Sequence, residues 1–277
     1  MTEMYRVSKV LNNNGVIAID MDENKEYVIL GKGVGFGKKV SQRFDKPEGC
    51  TTYRLEQETE RGSAKELVKG IEPEYLEIAD AILTESQKVF GDSIDRGILF
   101  PLADHISFAV ARIRRNEQIS NPLTEDIKVL FYSEFKVAET LKTILRERLQ
   151  IEIDDHEVGY VALHIHSAIG DEKVSVAMQT ARAVRECIDM IEKATGKPID
   201  VLSLSYNRLM NHMKYMVARA STGEKLNLDM NEYMLDQYPQ AYKVATDICK
   251  NLEGCIGHKL DETETGYLAM HIQRVYK

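Results

Sequence analysis

Long hydrophobic runs and closely spaced cysteines are both missing from this chain of 277 residues. No run of about eighteen apolar residues occurs, so no membrane insertion is expected, and the N-terminus lacks the apolar segment of a secretory signal. The cysteines, Cys50, Cys187, Cys249 and Cys255, form neither a C-x-x-C pair nor a dense framework. Because this usage suits a reducing compartment, we predict a cytoplasmic protein.

The signatures of several enzyme classes are missing as well. The glycines at 31–37 do not match G-x-G-x-x-G, and neither a Walker pattern nor a G-x-S-x-G elbow occurs. H-x-x-x-H and H-E-x-x-H are also absent. We therefore predict a protein that is not an enzyme and that needs no cofactor or metal. A metal-binding enzyme stays open as a remote alternative, which elemental analysis would detect.

Excess basic charge is missing too, since the net charge is −8. Residues 1–62 balance at 10 basic and 10 acidic side chains, and the rest has 26 against 34. An acidic chain does not bind polyanions non-specifically, so any nucleic-acid site must be local. One such place is residues 31–46, where five cations against one acid give +4: Lys32, Lys38, Lys39, Arg43 and Lys46 against Asp45.

Two kinds of hydrophobic pattern divide the chain. Short β-type runs at 5–11, 15–19, 26–30 and 51–55 are separated by turn residues, which predicts a small antiparallel β module. A core of that size is marginal alone, so the module is expected to form a homodimer. From Pro73 onward the pattern is helical, with helices predicted at about 73–90, 101–117, 123–149, 154–169, 173–195, 199–221, 230–253 and 261–276.

A duplication organises the helical part. Residues 154–165 and 261–272 are identical at 7 of 12 positions, with an offset of 261 − 154 = 107 residues. The same offset places His105 on His212, and His164 corresponds to His271. We therefore predict a multidomain α and β protein in which two homologous all-α bundles follow the β module. The predicted domains are 1–56, a linker at 57–72, a first bundle at 73–170 and a second at 171–277.

The repeated stretches also predict how their helices begin. Asp154 with Glu157, and Asp261 with Glu264, have the spacing of an N-cap residue and its reciprocal partner three positions later. Each repeat is thus expected to contribute a capped helix with its histidine in the third turn.

The four matched histidines have three possible explanations. Most helical histidines are structural, and a duplication would copy structural residues too. A metal site would need a third ligand. The third explanation is a phosphoryl acceptor, because a neutral imidazole offers a nucleophilic nitrogen near physiological pH. Arg112 and Arg219 follow His105 and His212 by two helical turns on the same face, where they could hold a phosphate.

The glycine-rich segment has two explanations of its own. Glycines at this spacing are often a turn or bulge in a β-sheet. The alternative is RNA binding, since lysines neutralise phosphates, an aromatic ring stacks on an unpaired base and glycines allow close approach. The candidate RNA-binding residues are Lys9, Asn14, Gly31, Lys32, Gly33 and Phe36.

These motifs together resemble the BglG/SacY-type transcriptional antiterminators. Val10–Asn14 and Gly31–Lys39 are similar to the signature of their RNA-binding domain. The motifs around the histidines are similar to those of two phosphotransferase regulation domains, or PRDs: Asp104-His105, Leu163-His164-Ile165, Asn211-His212 and Met270-His271-Ile272. Gly-Lys-Gly at 31–33, with Gly35, resembles the glucose-responsive members.

The resemblance implies a dimeric four-stranded β module that binds an RNA hairpin, so that an overlapping terminator cannot form. It also implies phosphorylation of His105, His164, His212 and His271 by the phosphocarrier HPr or a sugar-specific enzyme II. Asp104, together with Arg112 and Arg219, is expected to support the phosphate. The second module has Asn211 in place of Asp104. A PRD-regulated DNA-binding activator is the alternative, but it should begin with a helix-turn-helix, whereas this N-terminus has a β pattern.

Overall fold

The computed structural model describes residues 4–56, 58–59, 62–170, 173–200 and 203–275. These residues divide into two compact units. The first contains the described chain up to residue 120 together with 133–173, and the second contains 121–132 and the residues from 174 onward. No helix in the described part of the chain is both long and apolar enough to cross a bilayer.

The first unit begins with a five-stranded antiparallel sheet in the order β4-β1-β2-β3-β5. The strands are β1 (Met4–Asn12), β2 (Gly15–Asp20), β3 (Glu26–Leu30), β4 (Arg43–Asp45) and β5 (Thr51–Arg54). The four strands predicted from hydrophobic runs are confirmed. The edge strand β4 was missed because three residues are too few to show an alternation, and it corrects the four-stranded sheet implied by the resemblance.

The sheet buries one face, as the alternation in β1 shows. Tyr5 and Val7 are buried while Met4 and Arg6 are exposed, which is the period of two expected for a half-buried strand. The buried side chains form one cluster: Tyr5, Val7, Val16, Ala18, Ile29, Val34 and Phe44. Since Val34 comes from the glycine-rich segment, that segment is anchored in the core of the sheet.

Residues 57–72, predicted as a linker, contain ordered elements. β6 (Glu58–Thr59) and β7 (Gly62–Ser63) pair with each other, and α1 (Ala64–Gly70) follows directly. Lys65 on α1 forms an ion pair with Glu26 on β3. The sheet is therefore continued into the helical part by a short hairpin and a helix.

The first helix that the sequence predicted begins at Pro73, as expected, and it is preceded by α1. From there on, the helices of the first unit are α2 (Pro73–Phe90), α3 (Leu99–Arg114), α5 (Tyr132–Ala138), α6 (Thr140–Leu149) and α7 (Asp155–Gly170). Two short 3-10 helices, Gly91–Ser93 and Arg96–Ile98, connect α2 to α3. α2, α3 and α7 pack on one another and place the first histidine motifs.

The helices of the second unit are α4 (Thr124–Leu130), α8 (Val174–Thr195), α9 (Leu204–Thr222), α10 (Asn231–Gln237), α11 (Pro239–Ile256) and α12 (Thr263–Val275). α4 packs on α8 and α9, and the Tyr206 hydroxyl donates a hydrogen bond to buried Asp126 at 3.0 Å. α10 lies 107 positions after α4, since 231 − 124 = 107, yet it packs on α11 and α12. The repeat thus extends to these short helices, but their packing differs.

Two long helices predicted from the sequence are broken. The range 123–149 contains α4, α5 and α6, and the range 230–253 contains α10 and most of α11. The breaks after α4 and α10 lie at Phe131, with φ −117° and ψ 47°, and at Tyr238, with φ −140° and ψ 59°. Pro239 explains the second break, because proline disfavours helical torsions in the preceding residue. Phe131 and Tyr238 are also 107 positions apart, so the break occurs at the same place in both repeats.

Candidate functional site

The first histidine pair meets between α3 and α7. His105 comes from α3 and His164 from α7, and their ring centroids are 5.3 Å apart with the planes tilted by 47°. Both side chains are buried. Residues that are 59 positions apart in the sequence, since 164 − 105 = 59, therefore form one local site.

The second histidine pair repeats this arrangement between α9 and α12. His212 on α9 stacks on His271 on α12, with centroids 4.7 Å apart and planes inclined by 20°. In both modules the two histidines therefore converge on neighbouring helices. A tyrosine flanks each site, since the Tyr160 ring lies 5.7 Å from His105 and the Tyr267 ring 6.0 Å from His212.

A buried glutamate connects the first site to an arginine. Arg112 Nη2 donates to Glu157 Oε1 at 2.8 Å, while Glu157 Oε2 lies 3.5 Å from His105 Nε2. Neither of these last two atoms has another hydrogen-bond partner, although both are buried. Burial alone would raise the pKa of Glu157, but His105 and Arg112 hold it below its usual value. The carboxylate is thus charged inside the module.

The second module has the same three residue types in the same places. Arg219 Nε donates to Glu264 Oε1 at 2.6 Å and its Nη2 to Oε2 at 2.9 Å. Glu264 Oε2 lies 3.8 Å from His212 Nε2, and the glutamate is 1% exposed. The bidentate pair offsets the cost of burying the carboxylate, because each of its oxygens accepts a charge-assisted bond.

The predicted reciprocal caps are only partly confirmed: the aspartate caps the helix, but the glutamates do not reach back. Asp154 does cap α7, since its Oδ1 accepts from the backbone N–H groups of His156 and Glu157. Glu157 and Glu264, however, point into the modules and bind arginines. The spacing that suggested a reciprocal cap also places these side chains one turn into the helix, on the face that packs against the histidine.

The histidines of the second module are neutral at physiological pH. Burial lowers the pKa of His212 to about 3, with help from the charges of His271 and Arg219. Burial also lowers the pKa of His271 to about 4, together with Arg274 and Arg208. A neutral ring keeps a lone pair on one nitrogen, which a phosphoryl acceptor requires.

The predicted phosphate-supporting residues lie around these sites, but two of them are already bound. Arg112 and Arg219 face the histidine sites, as their spacing predicted, and there they contact Glu157 and Glu264. Asp104 lies half-buried on α3 next to His105. A role for these three residues in holding a phosphate stays a prediction.

The glycine-rich segment follows β3 and contains most of the predicted RNA-binding residues. Phe36 is 74% exposed, and Lys9 and Lys32 are exposed as well. Lys38 Nζ lies 4.7 Å from the centroid of the Phe44 ring. An exposed aromatic ring beside several lysines has the composition of a surface that stacks on bases and neutralises phosphates.

The fold itself accounts for part of the glycine pattern. A Cβ at Gly35 would lie 2.0 Å from the carbonyl oxygen of Asn12, and a Cβ at Gly31 would lie 2.3 Å from Cys50 Sγ. Gly33 has φ +74°, and its N–H donates to Asn14 Oδ1 at 3.0 Å. The structural explanation of these glycines therefore holds alongside the functional one, since close packing presents Lys32 and Phe36 at the surface.

The two asparagines of the β1–β2 turn contact the first helix after the linker. Asn12 Nδ2 donates to Glu77 Oε1 at 2.7 Å, and Asn14 Nδ2 donates to Glu77 Oε2 at 3.2 Å. Nearby, the Tyr53 hydroxyl on β5 bonds to Asp80, and Arg96 Nη2 contacts both Tyr53 and Asp80 at 2.8 and 3.0 Å. One face of α2, carrying Glu77 and Asp80, thus holds the sheet at two places.

Sequence reasoning missed four residues of the histidine sites: Glu157, Glu264, Tyr160 and Tyr267. All four are identical between the repeats, so the signal was present in the alignment of the two stretches. It also missed Glu77, for which no sequence pattern existed, because the contact joins residues more than sixty positions apart.

Comparisons with known proteins match this arrangement. The family model described as PRD domain matches residues 80–168 and 185–275, and the model described as CAT RNA binding domain matches residues 5–62. The chain is 30% identical over 274 residues to the GlcA/glcB genes antiterminator of Staphylococcus carnosus (strain TM300), covering 97% of this chain and 94% of that protein. It is 27% identical over 276 residues to the transcription antiterminator LicT of Bacillus subtilis (strain 168), with coverage of 98% and 99%.

A solved structure agrees with the fold of the N-terminal part. The crystal structure of GlcT CAT-PRDI matches with a TM-score of 0.53 and 29% identity, covering 60% of this chain and 99% of that one. The CAT and PRDI modules in its name correspond to the sheet and the first helical bundle here. The chain therefore belongs to the family of transcription antiterminators that combine a CAT RNA-binding domain with two PRDs.

Proposed function

We propose that this protein is a transcription antiterminator that binds an RNA hairpin through its N-terminal sheet and is controlled by phosphorylation of its PRD histidines. The observation that carries the proposal is the combination in one chain of an exposed Phe36 among lysines with two matched histidine pairs, at 5.3 and 4.7 Å. The first feature suits RNA, and the second suits a transferable phosphoryl group.

The donors that suit these sites are phosphorylated HPr and a sugar-specific enzyme II, and the acceptors are His105, His164, His212 and His271. Each pair is compact enough that one phosphate should exclude the next. Two phosphoryl groups would place about −3 to −4 charges in a partly buried site. At ring separations near 5 Å this costs several kcal/mol. We therefore expect about one phosphate per pair.

The proposed consequence of phosphorylation is a change in the dimer. Modification of the first PRD should inhibit RNA binding and modification of the second should activate it, through a redistributed homodimer interface. The extra charge in an acidic segment supplies the driving force. The similarity to GlcT proteins and the Gly-Lys-Gly of this chain at 31–33 both favour the glucose-responsive subgroup.

The DNA-binding alternative is less well supported. It requires a recognition helix in the N-terminal domain. Residues 4–56 contain strands and turns and no helix. The RNA-binding proposal is therefore the one that the sheet favours.

The test is an antitermination reporter in a strain that contains the sugar phosphotransferase system. Aspartate at His212 or His271 should raise read-through, and alanine at His105 or His164 should make it independent of sugar. A variant with alanine at all four positions should lose regulation. Full sugar-responsive read-through in that variant would refute phosphorylation control.

A further inference from the structure

The buried nitrogens of the histidines differ in a way that bears on which atom accepts phosphate. In His105 and His212 the fully buried nitrogen without a hydrogen bond is Nε2. In His271 it is Nδ1. The first histidine of each module thus turns its Nε2 inward, toward the glutamate.

The carboxylate next to Nε2 determines where the proton resides. Glu157 Oε2 and His105 Nε2 are 3.5 Å apart, and both are buried without a hydrogen bond. A proton on Nε2 is electrostatically favoured beside the carboxylate, whereas a lone pair there would face a negative charge. The other nitrogen of a neutral imidazole then holds the lone pair. Glu264 imposes the same preference on His212, at 3.8 Å.

A phosphoryl group on Nε2 would be unfavourable for the same reason. The negative phosphoryl group would then contact the negative carboxylate inside the module. That carboxylate is already held in place by Arg112 or Arg219. We propose that His105 and His212 accept the phosphoryl group on Nδ1, with Glu157 and Glu264 as positioning residues that keep the proton on Nε2. This assignment rests on the proposed function and adds the reacting atom to it.

The transfer balances without an additional base. The Nδ1 lone pair forms the new N–P bond, and the bond between phosphorus and the donor nitrogen breaks, with its electron pair returning to the donor ring. The acceptor ring keeps its Nε2 proton and becomes a phosphorylated imidazolium. Because the positive charge develops next to Glu157 or Glu264, the carboxylate stabilises the product.

The test determines which isomer of phosphohistidine forms. Full-length variants are made that retain one of the four site histidines, which is His105, His212 or His271. Each variant is incubated with phosphorylated HPr and analysed with isomer-specific antibodies. We expect Nδ1-linked phosphohistidine at His105 and His212, and Nε2-linked phosphohistidine at His271. Nε2-linked product at His105 or His212 would overturn the assignment of the reacting atom but leave the proposed function intact. Absence of transfer to every histidine, from HPr and from enzyme II, would remove the proposed function with it.

A substitution separates positioning from folding. In the chain that retains only His212, Glu264→Gln removes the charge but keeps the size, so the preference for a proton on Nε2 weakens. The Nε2-linked fraction should rise at least several-fold. Glu262→Gln, an exposed change one residue before the same helix, should leave the isomer ratio unchanged. A ratio that is equal in both variants would exclude Glu264 as the positioning residue.

A different observation carries a second inference, which concerns the RNA surface. The side-chain oxygens of Asn12 and Asn14 are used within the turn, since they accept from the N–H groups of Asn14 and Gly33. Both NH2 groups donate a hydrogen bond to one carboxylate, that of Glu77 on α2. Amide donors next to Lys32 and Phe36 are groups that could read the acceptor edge of a base.

Glu77 therefore occupies the donors that RNA would need. Its carboxylate offers two negative oxygens at hydrogen-bond distance from both amides, as a phosphate or a base edge would. Arg148 Nη1, at 3.7 Å, helps to hold it in place. We propose that Glu77 is an autoinhibitory residue that competes with RNA for Asn12 and Asn14, so that RNA binding requires α2 to move from the sheet.

Affinity for RNA tests this contact. The probe is a hairpin selected from a random-loop pool with the full-length Glu77→Ala variant. That variant should bind the hairpin about tenfold more tightly than the wild type, because the amides are already available. Glu85→Ala, on an exposed part of the same helix, should bind like the wild type. Equal or weaker binding by Glu77→Ala would overturn the proposal. Failure to select any RNA would contradict the proposed function instead.

Discussion

Removal of Arg219 should strongly destabilise the second PRD. Glu264 is 1% exposed, and both of its oxygens accept bonds from Arg219, at 2.6 and 2.9 Å. Breaking a buried ion pair on one side leaves an uncompensated charge and costs about 3–5 kcal/mol. Because the Arg219 side chain is 15% exposed, water can partly replace it, so we expect Arg219→Ala to cost about 3 kcal/mol.

The effect should be measurable by calorimetry of the full chain. For a unit slightly larger than 100 residues, 1 kcal/mol corresponds to about 4 °C, so the melting transition of the second PRD should fall by about 12 °C. Hydrogen exchange at α9 and α12 assigns the transition. Arg208→Ala, an exposed change on the same helix, is the control and should shift Tm by only a few degrees.

A second substitution distinguishes loss of the ion pair from loss of packing. If the uncompensated carboxylate causes the damage, Arg219→Ala combined with Glu264→Gln should recover more than half of the lost stability. Arg112→Ala should cost less, about 2 kcal/mol, because Arg112 makes one bond to Glu157 and is 25% exposed. A loss below about 1 kcal/mol for Arg219→Ala would refute this account of the buried pair.

Three further perturbations test other parts of the structure. Between pH 6.5 and 4 the unfolded chain binds a proton that His212, with its pKa lowered to about 3, excludes when folded. The free energy of unfolding of the second PRD should therefore decrease as the pH is lowered, by up to about 2 kcal/mol at pH 5. His212→Asn should make the free energy of unfolding less dependent on pH in this range. Gly35→Ala should abolish RNA binding, because its Cβ would clash with a carbonyl oxygen at 2.0 Å, whereas Gly70→Ala should bind normally. Lys32→Ala should lower the slope of log affinity against log salt by slightly under one unit if the lysine contacts a phosphate.

The elements that could be predicted from the sequence are those with a strong local or repeated signal. Strands β1, β2, β3 and β5 follow from hydrophobic runs between turns, and α2 follows from Pro73. The four histidines were predicted as matched pairs because the offset of 107 residues identified the same two positions in both repeats. Duplication supplied long-range information that one copy would not contain.

The remaining features depend on tertiary contacts. Hydrophobic periodicity continues through Phe131 and Tyr238, so the helices on either side looked continuous, although the packing of the repeat bends the chain there. The spacing of Glu157 from Asp154 is that of a capping box, yet an arginine and a histidine on α3 attract the carboxylate more strongly than a backbone N–H at the helix start. Local rules could not anticipate that competition.

The most direct test of the central claim is the affinity of the full chain for its RNA hairpin before and after phosphorylation by HPr. With alanine at His105 and His164, so that the second pair alone carries about one phosphate, we predict that phosphorylation raises the affinity about tenfold or more, equivalent to at least about 1.4 kcal/mol. The variant with alanine at His105, His164, His212 and His271 should show no change. An unchanged affinity in a chain that carries phosphate on His212 or His271 alone would contradict the account.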